Sequence, residues 1–213
     1  DARRFYLNQI VSGVDQAVDP RRWRELETPG GWPAAGARVG LGFDGSIRED
    51  ATALIGCTEA GHLFPVKIWE RPEHAGPDWR IPRVDVEQTV EWAFGRWDVG
   101  RMLCDPPRWQ TEIERWASRW GDETVLFFDT NSSRRMAPAC DRFSTALADG
   151  GLSHDGDETL TAHVLAMVRK KPQASAADDD GRTRWIFTKG DSRKIDAGIG
   201  AVLALEAAMT MPE

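Results

Sequence analysis

Three aspartates sit at the ends of apolar runs. Asp44 closes "ARVGLGF", in which Val39, Leu41 and Phe43 alternate with small residues. Asp105 closes "VGRMLC", and Asp196 falls near the start of "SRKIDAGIGAVLALEAAM". Asp50 follows Asp44 by six residues, across a short polar turn. Carboxylates brought together repel one another unless a proton or a cation neutralises them. Oxygen donors without His or Cys pairs favour Mg²⁺ or Mn²⁺. Two such ions roughly 3.5–4 Å apart can activate water and stabilise the leaving oxygen in phosphodiester cleavage. Each residue also has an ordinary reading. Asp44 and Asp50 could serve a turn around Gly45, and Asp196 could be a first-turn carboxylate favoured by the helix dipole. As a set at strand ends, the metal reading is the stronger.

The elements that must position these carboxylates follow from periodicity. Residues 39–44, 51–57 and 62–69 alternate as strands, with a turn at 59–61, which predicts an antiparallel meander. "DVEQTVEWAFGRW" places Val86, Val90, Phe94 and Trp97 on one helical face. A fourth strand ends at Asp105. A helix then carries Trp109, Ile113, Trp116 and Trp120, and "TVLFFDT" gives a fifth strand. Helices are expected at about 137–149 and 157–170, a loop or hairpin tip over 172–182, a short strand at "TRWIFTK" and a final helix. Gly198 and Gly200 would let that helix approach the sheet. The order β-β-β-α-β-α-β followed by helices predicts an α/β fold with a mixed sheet, three antiparallel strands then parallel ones, flanked by helices. Asp44 and Asp105 then face each other if the first and fourth strands are neighbours.

Composition narrows the class. The chain is 41% hydrophobic and 29% charged, ordinary for a globular protein. No run approaches the ~18 apolar residues of a membrane span, and no GxxxxGK[ST] motif is present for a P-loop. Cys57, Cys104 and Cys140 are widely spaced and read as buried free thiols. A net charge of −7 argues against a simple basic nucleic-acid module. Acidic metal ligands would contribute to that charge, and the cations cluster locally. Arg134 and Arg135 follow "NSS" after the fifth strand, a loop suited to phosphate contact. Lys170, Lys171, Lys189, Arg193 and Lys194 gather towards the end, and Lys194 lies two residues before Asp196. Solvated surface charge is the competing reading for each. The tryptophans fall mainly on helical apolar faces, which favours core packing over base stacking. His163, beside Leu160, Val164 and Met167, reads as structural, and His62 and His74 as ordinary.

The motifs carry a family resemblance across nearly the whole chain. "GFDGSIREDATALIGC" and "LCDPPRWQTEIERWA" are similar to the first and second acidic motifs of the C-terminal nuclease domain of phage large terminase subunits, which has a ribonuclease H-like fold. "LSHDGDETLTAHVLAMV" and "GDSRKIDAGIGAVLALEAA" resemble its late segments, and "DARRFYLNQIVSGVDQAVDPRRWREL" the stretch that follows its packaging ATPase. The resemblance implies residues 1–36 as a segment after a missing ATPase domain and 37–213 as the nuclease. It implies Asp44, Asp105 and Asp196 as catalytic metal ligands, with Asp50 as a further ligand. The implied partners are double-stranded DNA, a small terminase subunit and a portal protein, in the host cytoplasm. Relatives often carry Asn before the Ala of "HVLxA", where this chain reads "HVLAM", so the His163 helix is left out of the metal site. Another ribonuclease H-like nuclease, of junction-resolvase or transposase type, and a non-catalytic packaging module remain as alternatives.

Overall fold

The computed structural model describes residues 16–46, 51–72, 74–76, 78–172, 185–190 and 193–212. The meander is β1 (Arg38–Gly45), β2 (Thr52–Thr58) and β3 (His62–Trp69). Helix α2 (Arg83–Arg96) leads to β4 (Asp98–Cys104), and α3 (Gln110–Trp120) to β5 (Val125–Phe127). The sheet order is β5-β4-β1-β2-β3-β6, with β6 at Ser153–His154. β1 runs antiparallel to β2 and parallel to β4, and β5 and β6 extend the two edges in parallel. This is the mixed, helix-flanked sheet of a ribonuclease H-like fold. Placing β1 beside β4 brings the Asp44 and Asp105 ends of the two strands together.

The two faces are packed differently. On one, α2 and α3 bury Val86, Val90, Ile113 and Trp116 against Phe43, Phe64, Trp97 and Trp109. On the other lies α6 (Asp196–Thr210), whose residues from Ala197 to Ala207 are all buried. Apart from Glu206, which pairs with Arg142, it is apolar all round because α4 (Ser133–Asp149) and α5 (Glu158–Ala166) cover its outer side. Glycine makes this face close. A Cβ on Gly42 would fall against the Gly200 carbonyl oxygen, and one on Gly40 against the Ala208 amide. Gly200 does face the sheet, since its added Cβ would meet Ile55 at 3.0 Å. Gly198 does not: its Cβ would meet the His163 carbonyl at 3.1 Å, so it admits α5 instead.

The late segments differ from expectation. The helix expected to reach 170 stops at Ala166. Met167–Lys170 is a strand, β7, paired antiparallel with β8 (Ile186–Lys189). A partner distant in sequence overrides the local helical pattern. α4 starts a turn early, at Ser133, and runs through Pro138. Most of the expected loop at 172–182 lies outside the described residues. Trp97, Trp109 and Trp116 are buried, whereas Trp92 is 40% exposed. The three cysteines are free and buried.

Residues 16–36 pack onto the body. Asp19 caps α1 (Pro20–Glu25), its Oδ1 accepting from the Arg21 amide at 2.7 Å. Trp23 is buried and stacks on His154 with ring centroids 3.9 Å apart. Gln16 bridges Val168 of β7, and Glu27 bridges His154 of β6. No helix among the described residues is long and apolar enough to cross a membrane.

Candidate metal centre

Strand alternation decides where the carboxylates point. Phe43 and Cys104 belong to the aromatic core, while Leu103 and Ala53 belong to the core on the α6 side. Asp44 stands opposite Ala53 in the β1–β2 ladder and so faces α6. Asp105 lies two residues past Leu103, and its amide continues the ladder by donating to the Phe43 carbonyl at 2.9 Å. It too faces α6, and it is only 7% exposed. Its Oδ1 accepts from the Thr130 amide at 3.0 Å and the Thr130 hydroxyl at 2.9 Å. Burial pushes the Asp105 carboxyl above its ordinary range, the Thr130 bonds act the other way, and Asp129 adds to the rise. Among the described residues no Lys or Arg pairs with Asp105.

Asp196 is the first residue of α6, and its Oδ2 accepts from the Ala51 amide at 3.2 Å, at the start of β2. It shares with Asp44 the wall of a cavity of about 380 Å³. Thr130, Asn131, Lys170 and Lys189 line the same cavity. Two carboxylates thus line one cavity, and a third, buried and outside that lining, is bonded to Thr130, which lines it. Among the described residues, no three His, Cys, Asp or Glu side chains converge on one point as metal ligands. Asp50 lies outside the described residues. The donor chemistry fits a hard divalent cation. Every candidate ligand is an oxygen, and the most buried carboxylate has no cationic side chain beside it among the described residues.

The chain superposes on the HK97 bacteriophage large terminase with a TM-score of 0.66, at 20% identity, over 90% of this chain and 43% of that one. The large terminase nuclease of thermophilic phage G20c, determined with bound magnesium, matches with a TM-score of 0.62 at 10% identity, over 91% of this chain and 97% of that domain. The fold is that of phage large terminase nuclease domains. In sequence, the chain is 32% identical over 228 residues to the Gene 13 protein of Mycobacterium phage L5, a match covering 97% of this chain and 37% of that protein. It spans little more than a third of the length of this curated relative. No family model matches it.

On this terminase-nuclease fold the basic residues separate into groups. Lys170 and Lys189 sit on β7 and β8 at the cavity. Lys171 lies over the Trp185 ring at 5.3 Å, on the surface. Arg134 is exposed at the start of α4, and Arg135 donates to the Phe127 carbonyl at 2.9 Å. Arg193 and Lys194 line a neighbouring cavity with Glu70, Glu158 and His163. Lys194 pairs with Glu70 at 3.0 Å. Burial acts to raise the Glu70 carboxyl, but Lys194 and His163 outweigh it and hold it below its ordinary value. Burial pushes His163 down, against the pull of Glu70 and Asp196.

Thr130, Glu70 and His163 were not marked as site residues by their sequence context. Thr130 carries no local signal. His163 could have been suspected from Ile195, which occupies the start of α6 and cannot cap it, so the helix must draw an acceptor from elsewhere.

Proposed function

We propose that this chain is the nuclease domain of a large terminase, a divalent-metal-dependent endonuclease that cuts concatemeric double-stranded DNA during viral genome packaging. The observation that carries this reading is Asp44 and Asp196 lining one cavity, with lysines on β7 and β8, in a terminase-nuclease fold. The bound magnesium of the G20c neighbour supports the choice of ion. Asp44, Asp105 and Asp196 hold Mg²⁺ or Mn²⁺, with two ions the expected number and Asp50 a further ligand. Bound ions would supply the positive charge that offsets charge developing on the scissile phosphate and would lower the pKa of an attacking water. Thr130 fixes the Asp105 carboxylate through one oxygen and leaves the other as its second donor.

Lys170 and Lys189 hold backbone phosphates at the cavity. Arg134, Arg135, Lys171, Arg193 and Lys194 extend that surface. Such contacts position DNA without reading its sequence, so cleavage carries little sequence preference. An ATPase domain in the full-length protein, a small terminase subunit and a portal protein complete the packaging assembly, in the host cytoplasm.

Supercoiled plasmid incubated with the chain and Mn²⁺ should be nicked and linearised, and EDTA should stop it. Asp44→Ala, Asp105→Ala and Asp196→Ala should each abolish cleavage while the melting transition survives. Asp50→Asn should raise the metal concentration for half-maximal cleavage. Cleavage that continues in EDTA would remove the metal from the mechanism, and a near-wild-type single variant would remove that residue.

A further inference from the structure

Helix α6 starts without a cap of its own. Ile195 has no side-chain acceptor to offer, yet first-turn amides need partners. One partner comes from another helix: the Ala197 amide donates to Nδ1 of His163 at 3.0 Å, in a buried bond. Nδ1 is therefore the unprotonated nitrogen, and in the neutral ring the proton sits on Nε2. Nε2 meets Glu70 Oε1 at 3.3 Å, and the same oxygen takes Lys194 Nζ at 3.0 Å. Asp196 is thus flanked on both sides by residues tied to one His–Glu pair, Ala197 through His163 and Lys194 through Glu70. Gly198 makes the approach possible, because any side chain there would press on the His163 carbonyl.

We propose that His163 and Glu70 are positioning residues for Asp196: together they fix the first turn of α6 and so aim its carboxylate into the cavity it shares with Asp44. This rests on the metal-dependent reading of Asp196 given above. Neither residue lines that cavity; both line the neighbouring one. His163 acts through the backbone amide of the next residue, Ala197, and Glu70 through His163 Nε2 and the side-chain ammonium of Lys194, two residues before Asp196. Groups that orient a ligand in this way commonly change metal affinity by about 10–100-fold when removed.

The test pairs two conservative replacements of His163. Asn can present its carbonyl oxygen where Nδ1 stands, so His163→Asn keeps an acceptor for Ala197. Gln reaches the Nε2 position instead, so His163→Gln keeps the link to Glu70 and leaves the Ala197 amide unanswered. Mn²⁺ binding is read from the free-ion electron paramagnetic resonance signal, without DNA. Amide hydrogen exchange is read over residues 196–201, with β1–β4 as the internal control. His163→Leu and His163→Gln should bind Mn²⁺ about tenfold more weakly and exchange faster at Ala197. His163→Asn should recover most of both, and Glu70→Gln should fall between. If Asn and Gln variants behave alike, or if folded His163→Leu binds Mn²⁺ like wild type, the positioning role is overturned. Wild type that binds no Mn²⁺ overturns the metal reading instead, and equal exchange at Ala197 in wild type and variants then overturns the positioning role separately. Should His163→Leu fail to fold, the Asn–Gln contrast still decides.

Discussion

The two faces of the central sheet solve the same packing problem in opposite ways. The α2–α3 face uses bulk: Phe43 meets Trp109 and Trp116 edge-on, each at 5.3 Å, and Phe64 meets Trp97 at 5.2 Å. The α6 face uses the absence of bulk, with Gly40, Gly42 and Gly200 letting backbones touch. Rings hold a sheet in place but keep helices at side-chain distance. Backbone contact instead brings the first residue of a helix beside the end of a strand. Aspartate has a short side chain, so Asp196 and Asp44 can share a cavity wall only on the face built by close approach. Stability and chemistry are thus weighted to different sides of one sheet.

The largest effect that tests this division is on the aromatic side. Phe64→Ala should cost about 3–5 kcal/mol of stability, read by urea unfolding. Cleavage measured well below its melting temperature should stay near wild type. Next comes Gly42→Ala, which overpacks β1 against α6 and should cost about 1–3 kcal/mol. Here cleavage should fall much further than stability, because the added methyl displaces α6 and with it Asp196. If Gly42→Ala keeps full activity, or Phe64→Ala loses it while folded, the division fails. A smaller effect of opposite sign is expected at Asp105. Burial works against the charged form of its carboxylate, and Asp129 adds to that push. Asp105→Asn keeps the oxygen that Thr130 binds and removes the charge. In EDTA the variant should melt about 2–4 °C higher, the shift of roughly 1 kcal/mol in a chain of this length. A lower melting temperature would mean that the charge is compensated in the metal-free protein.

The smallest effect is kinetic. Burial pushes the thiols of Cys57 and Cys140 up to about 12, and that of Cys104 well above its ordinary value, so none should react in the folded state. Labelling with a disulfide reagent at pH 8 then reports local opening. Cys140 should label first. Its sulfur accepts from the Phe187 amide at 3.3 Å, and Phe187 belongs to a two-stranded ribbon of four-residue strands. Cys104, under the aromatic face, should label late. The reverse order would make the aromatic face the looser one.

Much of this was legible in the chain. Alternation marked β1, which holds Asp44 one residue from its end, and the fourth strand was expected to end at Asp105, one residue past the last residue of β4. Helical spacing marked α2 and α3. What failed was whatever depends on a distant partner. "MVRK" continues a helical pattern and becomes a strand only because Ile186–Lys189 lies beside it. Ser153–His154 is too short to show a period and is defined by its pairing with β3 and its bridge to Glu27. The positions of Asp44 and Asp105 at strand ends and of Asp196 at a helix start were legible because such ends are local features. His163 was not, because its meaning lies in one amide 34 residues away and one carboxylate 93 residues away. Gly198 was noticed for its smallness and given the wrong neighbour, since a glycine states that something comes close without stating what.

The bridges at Gln16 and Glu27 give the molecule a load path. Tension on the chain at residue 16 reaches β7 first, through the Gln16–Val168 bridge and the Ala17 amide bound to the Met167 carbonyl at 3.1 Å. β7 hands it to β8, and these two strands carry Lys170 and Lys189 at the cavity mouth. Trp23 and the Glu27–His154 bridge form a second anchorage, at the β6 edge of the sheet, before the chain enters β1. The stretch before β1 is therefore moored twice, first to the ribbon that bears the two lysines and then to the far edge of the sheet.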